Sequence, residues 1–158
     1  MIEFVEGDIF EVEGDVLCHQ VNCYGVMGAG IAKKIRDKYP NVYKEYKQIC
    51  DNQKTFPDEL LGVCHIVDVN GGKHKYVANL FGQYDIYPRN KIHTDYNALE
   101  FALENLYYYA KDSCLNTVLV PDMIGCGLGG ANRDKVLEII KKIFENDSKI
   151  TVKIVKYV

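Results

Sequence analysis

The chain has 158 residues, of which 47% are hydrophobic and 26% charged, and its formal net charge is −3. This length and composition are those of one ordinary globular domain, so we expect a single domain over residues 1–158. A membrane span is excluded because no apolar run approaches the ~20 residues that a span needs. The negative charge excludes broad electrostatic binding of nucleic acid.

The predicted elements alternate between strands and helices along the chain. Apolar or alternating runs predict strands at residues 2–5, 15–21, 62–69, 74–81, 117–120 and 151–157. Periodic apolar residues predict helices at 28–38, 40–51, 94–111 and 132–145, with Thr94 as the N-cap of the third. Asn70 and Gly71 are a turn signal that predicts an antiparallel hairpin. We therefore expect an α/β fold, a three-layer α/β/α sandwich with a mixed, mostly parallel central sheet.

Two glycine-rich segments each follow a predicted strand and lead into a predicted helix. Loop one spans residues 21–32, and loop two spans residues 121–130. Glycine lets backbone N–H groups approach a ligand closely, and a helix N-terminus adds partial positive charge. Two such loops at the carboxyl ends of strands predict a clamp on a diphosphate. Neither loop has the spacing of a dinucleotide fingerprint or of a Walker phosphate loop.

These motifs resemble those of the macro domain, the ADP-ribose-binding module. The matching segments are 7–9 (Gly-Asp-Ile), 19–23 (His-Gln-Val-Asn-Cys) with 27–32 (Met-Gly-Ala-Gly-Ile-Ala), and 124–128 (Ile-Gly-Cys-Gly-Leu). The chain looks most similar to the branch that holds the terminal ADP-ribose protein glycohydrolases and the fungal ADP-ribose-1″-phosphate phosphatase. The resemblance covers the chain from Ile2 to Val158. It implies a macro-like fold and ADP-ribose or an ADP-ribosylated macromolecule as partner, with no cofactor.

The resemblance also implies which residues bind the ligand. Asp8 is expected to accept a hydrogen bond from the adenine amino group, although a Gly-Asp pair is also a common turn. Asn22 is expected to bind a hydroxyl of the distal ribose, and the alternative is an Asx-turn. Tyr84 and Tyr87 are further candidates, for stacking on adenine. The other expected ligand-binding residues are Ile9, Gly28, Ala29, Gly30, Ile31, Ile124, Gly125, Cys126, Gly127, Leu128 and Gly129.

The expected catalytic residues are Asn22, Gln83 and His19. In the glycohydrolases of this branch a lysine attacks the ribose and an aspartate assists, and these positions fall on Gln83 and Gly129 here. The resemblance therefore implies that the covalent lysine route is closed, which puts in doubt the removal of ADP-ribose from DNA by that route. His19 is a candidate because the fungal phosphatase has histidine in the same local pattern. Strand alternation nevertheless places its side chain on the face opposite Asn22.

Three functions remain open. One is hydrolysis of an ADP-ribosyl bond by a water that Asn22 and Gln83 position. The second is hydrolysis of ADP-ribose-1″-phosphate, and the third is binding without turnover. We expect hydrolysis rather than binding alone, because a chain of one domain has no effector for a reader to recruit.

Six cysteines without a Cys-x-x-Cys pair predict reduced thiols and no metal site. Together with an acidic, strand-like N-terminal segment, they predict a cytoplasmic protein. Cys23 and Cys126 lie in the two loops and are alternative nucleophiles. Neither has a neighbouring base in the sequence, so packing behind the loops is the favoured interpretation. We also expect a monomer.

Overall fold

The computed structural model describes residues 1–88 and 91–158. The strands are β1 (Ile2–Glu6), β2 (Gly14–Asn22), β3 (Cys64–Asp68), β4 (His74–Gln83), β5 (Thr117–Pro121) and β6 (Thr151–Lys156). The helices are α1 (Gly30–Lys38), α2 (Pro40–Asn52), α3 (Tyr96–Asp112) and α4 (Arg133–Phe144). Short 3₁₀ helices occur at Ile9–Glu11 and Pro57–Leu60. Arg89 and Asn90, in the predicted loop between β4 and α3, lie outside the described residues.

The strands form one sheet in the order β1-β6-β5-β2-β4-β3. Only the β3–β4 pairing is antiparallel among the described strands, which confirms the mixed, mostly parallel sheet and the predicted hairpin. β2 lies between β5 and β4. Since the carboxyl ends of parallel strands share one edge of a sheet, loop one, loop two and the end of β4 meet at that edge.

Helices cover both faces of the sheet, which confirms the three-layer architecture. Strand β2 is buried on both faces because its apolar residues are consecutive, as in parallel sheets generally. Val16 packs in the cluster that α3 and α4 cover, whereas Leu17 packs in the cluster that α1 and α2 cover, and both are 0% exposed. No described helix is long and apolar enough to cross a membrane.

The predicted N-cap of α3, Thr94, is wrong by one residue. Asp95 is the N-cap, and its carboxylate accepts a hydrogen bond from the Ala98 backbone N–H (3.0 Å). Thr94 instead forms an isolated antiparallel β-bridge with Gln83 through the backbone. Its hydroxyl donates to the carbonyl oxygen of Gly125 (2.8 Å). Both residue types cap helices well, so local preference alone did not decide between them. Thr94 contacts loop two because of the tertiary fold.

Candidate functional site

A cleft of about 520 Å³ lies at the carboxyl ends of β2, β4 and β5. Its described lining has amide, apolar, tyrosine, histidine and glycine residues but no Asp, Glu, Lys or Arg. Among the described residues, the groups that could meet an anion in this cleft are therefore backbone N–H groups and the N-terminus of α1. Of the expected site residues, the cleft brings together His19, Asn22, Gly28, Ala29, Gly30, Ile31, Gln83, Ile124, Gly125, Gly127, Leu128 and Gly129.

Three expected ligand-binding residues are not part of this lining. The exposed Asp8 carboxylate accepts a hydrogen bond from the Phe10 backbone N–H (2.9 Å) and caps the 3₁₀ helix Ile9–Glu11. Ile9 is buried in the core, and the Cys126 thiol lies 3.4 Å from the carbonyl oxygen of Ile124. The turn alternative for Asp8 is thus present, and its contact with adenine stays a prediction. Asp8 follows β1, four strand positions from β4, which is a distance of about 19 Å across the sheet.

The Asn22 amide shapes loop one. Its Oδ1 accepts a hydrogen bond from the Tyr24 backbone N–H (3.0 Å) and lies 2.9 Å from the Tyr46 hydroxyl. Its Nδ2 donates to the carbonyl oxygen of Val26 (2.9 Å). The Asx-turn alternative is therefore present, and one N–H of Asn22 is left for a ligand. A ribose contact through that N–H stays a prediction.

Gln83 ends β4 and is held by a residue that the sequence did not single out. Its Oε1 accepts a hydrogen bond from Nε2 of Gln20 (3.0 Å), while its Nε2 donates to the carbonyl oxygen of Asp85 (2.8 Å). Gln20 Nε2 also donates to the Thr94 hydroxyl (2.9 Å). In the sequence, Gln20 is distinguished only as a polar side chain on the same face of β2 as the apolar Val16 and Cys18. That pattern alone does not identify its partners.

His19 is fully buried, and Nε2–H donates to Oδ1 of Asn79 (2.6 Å). The amide of Asn79 then lies 3.1 Å from Nδ1 of His65. Burial lowers the pKa of His19 to about 4, and the hydrogen bond to Asn79 opposes this only in part. His19 is therefore neutral at pH 7 and poorly matched to general acid–base catalysis. Its catalytic role stays a prediction.

The loop cysteines are protonated thiols. Burial raises the pKa of Cys23 to about 12, and its Sγ lies 3.4 Å from the carbonyl oxygen of Gln83. Burial also raises the pKa of Cys126. Since the thiolate is the nucleophile, this favours the packing interpretation for both residues. All six cysteines are free, and no cluster of three metal-ligating side chains occurs among the described residues.

The family model of the Macro domain matches residues 18–140 of the chain. The chain belongs to the macro domain family.

Named relatives and a solved structure agree with this assignment. The ADP-ribose 1″-phosphate phosphatase of Scheffersomyces stipitis is 27% identical over an alignment that covers 90% of this macro domain chain and 94% of the relative. That of Debaryomyces hansenii is 32% identical over an alignment that covers 58% of this chain and only 59% of the relative. The macrodomain of Mycobacterium tuberculosis DarG has a TM-score of 0.81 at 23% identity, with 99% and 97% of the two chains covered, and shows the fold.

Two glycines of this macro domain leave open space where side chains would fit. A Cβ at Gly127 would have no heavy atom within 4 Å, and one at Gly28 would meet only Val26 Cγ1, at 3.9 Å. Neither residue has a left-handed φ. The protein's own conformation and packing therefore do not require glycine at these positions. Both glycines line the cleft, so their small size leaves room for a ligand.

Gly129 has the opposite surroundings. A Cβ there would lie 2.5 Å from the Gly125 carbonyl oxygen and 2.9 Å from Gln20 Nε2, with the Thr94 hydroxyl in even closer contact. The resemblance implied that Gly129 replaces a catalytic aspartate. The structure adds that Gln20 and Thr94 fill the space which such a side chain would need.

The two candidate aromatic residues differ. Tyr87 lines the cleft and is 62% exposed. Tyr84 is not part of the lining, and it packs edge-to-face against Tyr24 with the ring centroids 5.2 Å apart. Tyr87 is therefore the better placed of the two to contact a bound ligand.

Proposed function

We propose that this macro domain binds ADP-ribose across the cleft. The diphosphate lies between loop one and loop two, the adenine lies toward Asp8 and β1, and the distal ribose lies toward Gln83. The observation that carries this proposal is the meeting of two glycine loops, on the adjacent strands β2 and β5, around one cleft. The names of the phosphatase relatives support ADP-ribose as the ligand class.

The open glycines support the position of the diphosphate. Gly28 and Gly127 come from different loops, and each leaves unfilled space on the wall of the same cleft. Helix α1 begins at Gly30, so its first N–H groups belong to loop one. Backbone donors at a helix N-terminus stabilise phosphate groups without a cationic side chain. This chemistry suits a binding site whose described lining has no Lys or Arg.

The proposed reaction is hydrolysis of an ADP-ribosyl derivative, either protein-linked ADP-ribose or ADP-ribose-1″-phosphate. Asn22 and Gln83 would hold a water beside the distal ribose, and such positioning supplies much of a rate enhancement without a strong base. Gln83 is an amide and forms no covalent sugar adduct. The neutral His19 and the protonated Cys23 are not needed in this scheme.

The alternative is a non-catalytic ADP-ribose-binding module. The specific observation in its favour is the lack of Asp, Glu, Lys and Arg in the described lining of the cleft. A described lining without a charged acid or base suits recognition as well as it suits water positioning.

Product analysis separates the two functions. We would incubate the wild type with ADP-ribosylated protein and with ADP-ribose-1″-phosphate, with Gly127→Glu as the matched control for a blocked cleft. The expected result is release of ADP-ribose from one substrate by the wild type only. Binding of ADP-ribose without release would establish the non-catalytic alternative. Release at equal rates by the control would contradict the location of the site.

Two further properties belong to the same proposal. We infer a cytoplasmic protein from the six free cysteines, and a monomer with one domain over residues 1–158. Size-exclusion chromatography with light scattering tests the monomer.

A further inference from the structure

A chain of side-chain hydrogen bonds, here named the Gln20 bridge, connects Gln83 to loop two. It consists of Gln20, Gln83 and Thr94 and ends at the carbonyl oxygen of Gly125. Nε2 of Gln20 donates to Oε1 of Gln83 (3.0 Å) and to the Thr94 hydroxyl (2.9 Å), and that hydroxyl donates to Gly125 (2.8 Å). One side chain thereby joins β2, the end of β4, the start of α3 and loop two.

The surroundings hold Gln20 in one orientation. A Cβ at Gly82 would lie 2.5 Å from Oε1 of Gln20, and one at Gly125 would lie 3.2 Å from the same atom. This oxygen is buried and has no hydrogen-bond partner among the described residues. Glycines on two sides therefore make room for the amide. The two donated hydrogen bonds fix which end of it faces Gln83.

The direction of these bonds determines what Gln83 offers to a ligand. Both N–H groups of Gln20 are used, so Oε1 of Gln83 must be an acceptor and cannot exchange places with its Nε2. Nε2 of Gln83 donates one N–H to the carbonyl oxygen of Asp85, at 2.8 Å. Its second N–H has no partner among the described residues. Gln83 lines the cleft, and its fixed orientation leaves this N–H as the unpaired donor of its side chain.

We propose that Gln20 is a positioning residue for the distal half of the ligand, acting through Gln83. The bridge orients the Gln83 N–H so that it can donate to a ribose oxygen or a water. The bridge also fills the space beside Gly129, so a carboxylate is excluded there. This inference rests on the proposed binding of ADP-ribose, and it adds a residue that determines which end of the ligand is recognised.

The first test compares ADP-ribose with AMP, which has the adenosine half but no distal ribose. In Gln20→Leu, of similar size, we expect the affinity for ADP-ribose to fall about tenfold, because the orientation of Gln83 is lost. The affinity for AMP should stay within about twofold, since that ligand does not reach Gln83. Gln48→Leu, at an exposed position of α2, is the control and should change neither.

Gln20→Glu tests the direction of the hydrogen bonds. A carboxylate only accepts, so the Gln83 amide must turn its N–H toward position 20 and its oxygen toward the cleft. We expect the same selective loss for ADP-ribose as in Gln20→Leu. Equal losses for ADP-ribose and AMP would show a merely structural role, and an unchanged affinity for ADP-ribose would overturn the proposal.

A measurement on the wild type covers the case in which a variant does not fold. In ¹⁵N–¹H spectra the side-chain amide of Gln83 should shift on addition of ADP-ribose and stay in place on addition of AMP. A Gln83 side-chain amide signal that does not shift on addition of ADP-ribose would overturn the positioning role. If the wild type binds no ADP-ribose at all, the proposed function fails. If the wild type binds ADP-ribose, but the Gln20 variants keep its affinity and the Gln83 amide signal does not shift, only this inference fails.

Discussion

Gly127→Glu tests whether loop two holds the phosphates. Gly127 lines the cleft, has no left-handed φ, and has no heavy atom within 4 Å of the position of a Cβ. The fold therefore has room for a side chain at this position. We expect a substitution there to change the free energy of unfolding by at most about 0.5 kcal/mol, as at an ordinary surface site. The melting temperature should shift by about 2 °C or less.

The effect on binding should be large. If the introduced carboxylate lies about 5 Å from a phosphate charge at an effective dielectric constant of about 20, the repulsion is about 3 kcal/mol. That energy corresponds to an increase in Kd of about 100-fold. The side chain also occupies the space in which the diphosphate would lie, so the charge accounts for only part of the expected loss.

Titration calorimetry with ADP-ribose measures this loss, and differential scanning fluorimetry measures the melting temperature. Gly127→Gln has nearly the same size without the charge and separates repulsion from occlusion. Gln48→Glu adds the same charge on an exposed position of α2 and controls for net charge. A folded Gly127→Glu protein with near wild-type affinity would refute the assignment of the phosphates to loop two.

The remaining predictions concern other residues of the site. Asp8→Ala should weaken ADP-ribose binding by about 1.5–3 kcal/mol and leave the binding of ribose-5-phosphate derivatives without adenine unchanged. Equal losses of affinity for both ligand types in calorimetry would show that Asp8 forms the turn and does not contact adenine. Among variants of Asn22, His19 and Gln83, we expect Asn22→Ala to lose the most activity in a rate comparison, and Gln83→Lys alone not to create an efficient glycohydrolase. Mass spectrometry of quenched reactions should find no enzyme–sugar adduct, and a lysine adduct would contradict water positioning. The pKa of His19 is lowered to about 4 by burial, below the roughly 6.5 of an unfolded chain. The unfolded state then binds more protons between these values, so stability should fall as the pH falls from 6.5 toward 4, by at most about 3 kcal/mol. Urea unfolding at pH 7 and pH 4.5 measures this, and equal stability would contradict a buried neutral His19.

Much of the fold was predictable because the apolar pattern is strong and consistent. The run of buried residues in β2 and the Asn70-Gly71 turn determine a central parallel strand and a hairpin, and both are confirmed. Thr94 was misassigned because both Thr94 and Asp95 are good N-caps. Only the packing of loop two against the start of α3 distinguishes them, and that contact spans 31 residues.

The two loops of the site were predictable from their glycines, but the role of each polar side chain was not. Asn22 has the same residue type whether it binds a ribose or closes an Asx-turn, and its partner Tyr46 lies on a different element. Gln20 was missed because its partners, Gln83 and Thr94, lie 63 and 74 residues away. The open space at Gly127 and the filled space at Gly129 likewise depend on tertiary contacts and not on local sequence.

The central claim is that this macro domain binds ADP-ribose between its two glycine loops. Titration calorimetry of the wild type with ADP-ribose, AMP and a GDP-sugar tests it most directly. We predict saturable one-to-one binding of ADP-ribose, with weaker binding of AMP and of the GDP-sugar. No binding of ADP-ribose at millimolar concentration would contradict the claim.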